Sequence, residues 1–287
     1  LYGDTKIGFQ AVGTPQRRVA VVAGFWSADT MDPDAVLAAF DEQIRRRPGP
    51  EGAGVVERDA HVVRTLSIGW GGVTWSDLDA TVADTVIAAQ VARFAQEGRP
   101  WEWKYYSYDT PADLPARLAA AGFAAEEPEA LLIAEISELD LDVAPPDGVQ
   151  VVVVRDAHGV ADLVCVHDEV FGGDHAHVGR SVLAGLAHEP ATSAAVVAVA
   201  EGRPVSAGRV EFHHGTDFAS IWGGGTLPQW RGRGVFRALV AHRAGLAAEL
   251  GFRYLQVDAS PDSRPILERL GFVELATTIP FAHPGQP

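Results

Sequence analysis

WGGGTLPQWRGRGVFRALVAHRAGLAAEL, Trp222 to Leu250, is the stretch whose reading decides the fold. It opens on a short strand that runs into glycines and Pro228, turns through Gln229-Trp230-Arg231-Gly232-Arg233-Gly234, and continues as a helix. The loop therefore sits at a helix N-terminus. Gly232 and Gly234 lack a Cβ, so an anion can approach the main chain closely and meet several N–H groups at once. The helix dipole adds roughly 0.3–1 kcal/mol per charge at an exposed end, and Arg231 and Arg233 add charge of the right sign. A diphosphate suits such a cradle.

Three phosphate loops compete for this pattern. A Walker loop needs Lys-Ser/Thr after its last glycine, where this chain has Val235-Phe236. A dinucleotide fingerprint needs a third glycine at position 237, which is Arg237, although Asp258 falls near the distance at which that fingerprint carries an acid. The third pattern, Gln/Arg-x-x-Gly-x-Gly/Ala, is met by Gln229, Gly232 and Gly234. In that respect the stretch resembles the coenzyme A loop of the GNAT acyltransferases. Its flanks agree: a strand ending Gly-Gly-Gly-Thr-Leu-Pro, a long helix, the strand Tyr254–Ala259, and a helix ending Leu270-Gly271-Phe272. The resemblance covers about Val149 to Ala276. The bland alternative, a glycine-rich turn capping a helix, leaves the two arginines and the ordered flanks without a purpose.

With 287 residues and 47% hydrophobic content, the chain has room for two ordinary globular domains. A net charge of −15 repels nucleic acid and anionic membrane surfaces, whereas a neutral or cationic small molecule is accommodated. The single cysteine, Cys165, lies in an apolar run, forms no internal disulfide and is expected to pack in the core. Arg17-Arg18 before Val19–Phe25 faintly resembles a twin-arginine signal, but the apolar run is short and no cleavage site follows. No stretch approaches a membrane span, and a cytoplasmic location is expected.

Along the first half, Val19–Ala23 reads as a strand and Asp32-Pro33 as the start of a helix to about Arg47. Val55–Glu57 and Val62–Leu66 read as strands. A second helix begins at Ser76 or Asp77, with a face of Leu78, Val82, Val86, Ala89 and Phe94. The strand Trp101–Tyr108, a helix from Asp109-Thr110-Pro111 to Gly122-Phe123, and the strand Leu131–Ile136 complete it. Asp109 and Asp258, Gly122 and Gly271, Phe123 and Phe272, and Tyr105 and Tyr254 all lie 149 residues apart, so a strand–helix–Gly-Phe unit occurs twice. Projected back by that offset, the glycine loop falls on Ala80–Thr85, where no glycine stands. The first half is thus expected to be a degenerate copy of the second, its tryptophans Trp70, Trp75, Trp101 and Trp103 serving as packing. Residues 1–140 form this degenerate domain, 141–148 the linker with Pro145-Pro146-Asp147-Gly148, and 149–287 the complete domain.

In the second half, strand Val149–Arg155 precedes a helix over Val160–Phe171, a break at Gly172–His177 and a helix over Ser181–Ala187. Strands Ala194–Ala200, Val205–His213 and Phe218–Gly224 follow, joined by hairpin turns. The expected fold is α/β, in the α+β sense: two GNAT-like mixed sheets with flanking helices, the N-terminal one truncated.

The resemblance implies acetyl-CoA as donor and a small amine as acceptor, the acceptor lying between the halves or under the 172–180 loop. Gly225, Thr226, Gln229, Trp230, Arg231, Gly232, Arg233, Gly234 and Val235 would hold the coenzyme, with Ser263 as a further contact. A backbone N–H near Gly225-Thr226 would polarise the thioester carbonyl. For the general base the candidates are Glu211, His213 and Asp258. Glu211 and His213 share a strand face, and Asp258 ends the fifth strand, although each also has an ordinary reading, Asp258 as a helix cap. The family's usual acid, a tyrosine four residues before the glycine of the last helix, is replaced here by Leu267, so Ser263 or water must serve. Asp174, His175 and His177 lack a further ligand at recognisable spacing and line the acceptor pocket or face solvent. A homodimer is compatible with the sequence. The alternatives are an acyl-CoA sensor that has lost turnover, and a structural protein whose aromatic first half docks a partner.

Overall fold

A computed structural model describes residues 31–49, 54–67 and 70–285. The strand expected within Val19–Ala23 lies outside them. The first helix, α1 (Pro33–Phe40), starts as its sequence dictates: the Asp32 side chain accepts from the N–H groups of Asp34 and Ala35, and Pro33 stands in the first turn, where no donor is needed. It runs on through a wider helical segment, Asp41–Arg46. Strands β1 (Val55–Arg58), β2 (Val62–Leu66) and β3 (Gly71–Ser76) follow. The third was not expected. Ser76 ends a strand instead of opening a helix, and α2 (Ala83–Phe94) begins only after a turn built on Asp79. Its buried face is Ala83, Ile87, Gln90 and Phe94, rotated from the expected one, so that Ala89 is exposed while Leu78 is buried from the loop.

The first half closes with β4 (Trp101–Tyr106), α3 (Leu114–Ala120), the short β5 (Ala124–Ala125) and β6 (Glu129–Glu135). The second contains β7 (Val149–Val153), α4 (Ala157–Phe171), α5 (Ala176–Leu186), β8 (Ser193–Ala200), β9 (Arg203–Phe212) and β10 (Phe218–Thr226). It ends with α6 (Val235–Glu249), β11 (Tyr254–Ala259), α7 (Arg264–Arg269) and β12 (Val273–His283). β12 extends well past the last residue to which the sequence pattern reached. Helix α5 starts at Ala176, so the break between α4 and α5 is shorter than expected.

The strands form one mixed sheet in the order β1-β2-β3-β4-β12-β6-β11-β10-β9-β8-β7, with β5 beside β12. Only β3/β4 and β10/β11 pair in parallel; the other pairs are antiparallel. The last strand of each half is exchanged. β6, from before the linker, lies between β11 and β12, and β12 lies between β6 and β4.

Each half thus presents the same local order, two antiparallel steps into a parallel pair bridged by a helix: β1-β2-β3-α2-β4-α3 and β8-β9-β10-α6-β11-α7. The offset between them drifts. Helices α3 and α7 and their Gly-Phe ends match at 149 residues, but β4 and β11 do not, because the segment between strand and helix is longer in the first half. Asp109 therefore lies beyond β4, whereas Asp258 is inside β11, and the two are not equivalents.

Alternation along the strands supplies the core. Ala195, Val197 and Ala207 turn to Val160, Leu163, Val166 and Val182 of α4 and α5. On the opposite face, Val210, Ile221, Leu255 and Val257 meet Val240, Ala244 and Ala247 of α6. In the first half Trp101, Trp103 and Phe123 pack with Ile87 and Phe94, with Phe94 and Trp101 stacked at 4.1 Å, which agrees with the packing role expected of these tryptophans. Cys165, expected inside, is exposed, because the buried stripe of α4 is Val160, Leu163, Val166 and His167. No helix among the described residues is long and apolar enough to cross a membrane.

Candidate active site

The glycine loop connects β10 to α6, and both of its glycines are left-handed, Gly232 at φ 72° and Gly234 at φ 88°. A Cβ built at either would meet nothing within 4 Å, so the loop opens to solvent and not onto side chains. No side chain caps α6. The first N–H of this region to donate within the chain is Ala238, to Gly234 O at 3.1 Å; among the described residues those of 232 to 237 donate to nothing. A helix N-terminus with six consecutive unused amides is a ready anion cradle. Arg231 is braced by Nε donating to Thr226 O at 3.0 Å, and the Arg233 guanidinium stacks on the Trp230 ring at 4.9 Å. The corresponding helix of the first half is closed. The Asp79 carboxylate accepts from the N–H groups of Thr81 and Val82 at 2.7 and 3.1 Å, so these donors are already used.

β10 and β11 part just where this cradle needs an opening. They pair only from Phe218–Tyr254 to Ser220–Gln256 and then diverge. Beyond that point β10 carries a bulge between Trp222 and Gly225. Gly223 is left-handed at φ 58°, and a Cβ there would come within 2.7 Å of the His167 ring. His167 Nε2 donates to Gly223 O at 2.8 Å, which fixes its tautomer, since a carbonyl only accepts. Burial and the nearby Arg209 charge lower the His167 pKa to about 4, so the ring holding the bulge is neutral. Past the bulge, the Leu227 N–H donates to Val205 O, and antiparallel alternation turns the Thr226 N–H away from β9, toward the gap. Gly225 is enclosed by Phe171 and Val170, and the Thr226 hydroxyl pairs with Ser206 Oγ at 2.7 Å.

Two polar clusters lie beside the gap, one around Ser220 on β9 and β10 and one around Asp258 on β11, β4 and β6. Glu211 of β9 pairs with Ser220, and His213, just past the end of β9, reaches the same serine, in keeping with their spacing; Arg209 Nε donates to Glu211 Oε1 at 3.0 Å. Ser220 lies at the apex of the gap, fully buried, with Oγ 2.8 Å from both His213 Nε2 and Trp222 Nε1. The indole can only donate, so the Ser220 hydroxyl accepts from Trp222, and its bond to His213 Nε2 runs either way with the imidazole tautomer. Burial lowers the His213 pKa, the Glu211 charge working against this, and keeps the imidazole neutral. Asp258 is not a helix cap. Its buried carboxylate accepts from Gln256 Nε2 at 2.9 Å and faces Lys104 Nζ at 3.1 Å. The position that caps α7 belongs to Ser263, whose Oγ donates to Ser260 O.

Lys104 comes from β4 of the first half and also binds Glu129 of β6 at 2.9 Å. Burial opposes its charge, but Asp258, Glu129 and Glu102 together outweigh that and raise its pKa, while burial raises those of Glu129 and Glu102. Ser220, Trp222, His167 and Lys104 carry no motif, and sequence reading missed all four. The signal for Lys104 and Ser220 was a polar residue interrupting an otherwise apolar strand, and for His167 a polar residue on the buried stripe of a helix. Leu267, where the tyrosine was sought, is buried in the core and carries no proton. His175 is bound to Asp168, and no group of three or more metal-ligating side chains occurs among the described residues.

Comparison with known proteins follows the same lines. Residues 163–272 match the family described as Acetyltransferase (GNAT) family. No relative matches among curated proteins. Among solved structures, a GCN5-related N-acetyltransferase from Kribbella flavida superposes with a TM-score of 0.64 at 20% identity, covering 88% of this chain and 95% of its own. A functionally unknown conserved protein from Staphylococcus epidermidis gives 0.62 at 13% identity, covering 85% and 97%. A tandem GNAT protein from the clavulanic acid biosynthesis pathway gives 0.55 at 13%, covering 84% and 86%. These likenesses share the fold, and the chain carries a GNAT acetyltransferase domain spanning residues 163–272.

Proposed function

We propose that this chain transfers an acetyl group from acetyl-CoA to a small amine by direct attack on the thioester. The observation that carries the proposal is the run of undonated amides at residues 232 to 237 beside the gap between β10 and β11. The Gly232 and Gly234 main chain, with Arg231 and Arg233, would hold the diphosphate, Gln229, Trp230 and Val235 framing it. Ser263 is offered as a further donor to the coenzyme. The donor supplies an activated acyl group whose thiol, with an ordinary pKa near ~8.5, leaves without a strong acid, which suits a site where Leu267 replaces the tyrosine.

The Thr226 N–H faces the gap and would donate to the carbonyl oxygen as negative charge develops there. Neutral His213, in the tautomer that leaves Nε2 free to accept from the Ser220 hydroxyl, would take through it the proton that the attacking amine loses as its C–N bond forms and the C–S bond breaks. Glu211 and Asp258, both engaged with cations, would hold the acceptor's charge and orientation. The first half is read as a degenerate GNAT-like copy whose cradle is closed by Asp79, fused to the second by exchange of last strands. Titration calorimetry with acetyl-CoA, then thiol release against a panel of amines, tests the reading. Binding with release supports it, binding without release favours a sensor, and absence of binding defeats both.

A further inference from the structure

At the far edge of the sheet, β1, β2 and β3 meet the end of the Asp41–Arg46 segment around a cavity of about 350 Å³. Three arginines, Arg46, Arg47 and Arg58, line it, with Asp59, Val63 and Trp75 completing the wall. Arg46 and Arg47 share one carboxylate, Glu42, at 3.7 and 2.8 Å. Arg58 donates to Pro48 O at 3.1 Å and meets no carboxylate among the described residues. Asp59, in the same wall, is already engaged: it accepts from Arg64 at 3.0 Å and from the N–H groups of His61 and Val62. Among the described residues the lining arginines therefore outnumber the carboxylates at this cavity, in a chain whose net charge is −15.

The cavity is also organised. The Arg46 guanidinium lies over the Trp75 ring at 4.7 Å, and the Trp75 indole N–H donates to Asp41 at 3.3 Å, so the aromatic wall and one cation are held in place. Guanidinium forks match the oxygens of a phosphate in pairs. The volume is at the lower end of the range for small-ligand pockets, about 300–1,000 Å³. β1 is separated from β10 by seven strand spacings, on the order of 30 Å at roughly 4.8 Å each, so this is not the glycine loop seen from another side.

We propose that this pocket of the first half binds a small anion bearing phosphate groups, at a site separate from the glycine loop. The arginines supply the charge, and Val63 and Trp75 an apolar side for the remainder of the molecule. The proposal stands whether or not the second half transfers acetyl groups.

The test uses the full chain labelled with 5-fluorotryptophan and inorganic pyrophosphate as probe, followed by fluorine NMR. Trp75 is assigned through Trp75→Phe and Trp230, in the glycine loop, through Trp230→Phe, so the two sites report separately. The Trp75 resonance is expected to shift saturably, and the double variant Arg47→Ala/Arg58→Ala to weaken that titration at least tenfold with an unchanged melting temperature. Both arginines are exposed, so the variant keeps its fold. A Trp75 signal that stays still while Trp230 moves overturns the proposal, as does an unaltered titration in the double variant. Citrate serves as the second arm, and a polycarboxylate that titrates as tightly as pyrophosphate overturns the phosphate assignment.

Discussion

Gly234 and Gly232 do two jobs at once: they adopt left-handed backbone, and they leave the space in front of the amides bare. A β-branched side chain in that conformation costs roughly 1–2 kcal/mol and shields the N–H groups. Gly234→Val is therefore expected to lower coenzyme A affinity at least tenfold, by calorimetry, with a modest fall in melting temperature. His213 is expected to matter for rate. His213→Gln keeps a polar group beside Ser220 but removes the base, so kcat should fall by about 10²–10⁴ with coenzyme affinity unchanged.

His167 makes a pH prediction with a definite sign. Its folded pKa, about 4, lies below the ordinary 6.5, so the unfolded chain binds more protons between those values. The stability conferred by the neutral ring is complete above pH 6.5 and is lost as pH falls toward 4, by up to roughly 3 kcal/mol. Urea midpoints measured from pH 7 to pH 4.5 should fall less steeply in His167→Asn than in the native chain.

Among the elements, the β10–β11 gap and the buried Lys104 cluster are coupled, because β11 is held on its other side by β6. Lys104 draws together Asp258 of β11 and Glu129 of β6, and its removal strands two largely buried carboxylates. Lys104→Met is expected to cost about 3–5 kcal/mol in a urea titration at pH 7. Adding Asp258→Asn in that background should restore part of the loss, since one stranded charge is then gone; a double variant no more stable than the single one would deny the coupling. The same cluster explains why Asp258 looks like a cap in sequence and is none. Its partner arrives from a strand more than 150 positions earlier, which no local pattern can announce.

For the whole molecule, the exchanged strands decide what can fold alone. A fragment of residues 149–287 lacks β6, leaving β11 and β12 with exposed edges and missing Leu131 and Ile133 from one face of the sheet and Leu132 from the other. That fragment is expected to be aggregated or unfolded by size exclusion and circular dichroism. Co-expression with residues 1–148 should recover a soluble 1:1 complex. A monomeric, folded 149–287 fragment would show that the exchange is dispensable.

Local chemistry determined the cradle and most of the elements. Gln229, Gly232 and Gly234 ahead of a helix, Asp32-Pro33 at α1, and the apolar strands around them each act over a few residues, so the chain can be read there without its fold. The Gly-Phe repeat disclosed the doubling for the same reason, although its fixed offset misaligned Asp109 with Asp258 once a segment of different length intervened. β3 and β12 escaped notice because glycines and polar residues weaken the strand signal, and they hold as strands through their partners. The tertiary structure alone decided that β6 and β12 change places, that Ser220 joins His213 at the apex of the gap, and that Lys104 reaches Asp258. Those relations depend on the order of strands in a sheet, a property of long-range pairing that neither the alternation of side chains nor the spacing of motifs carries.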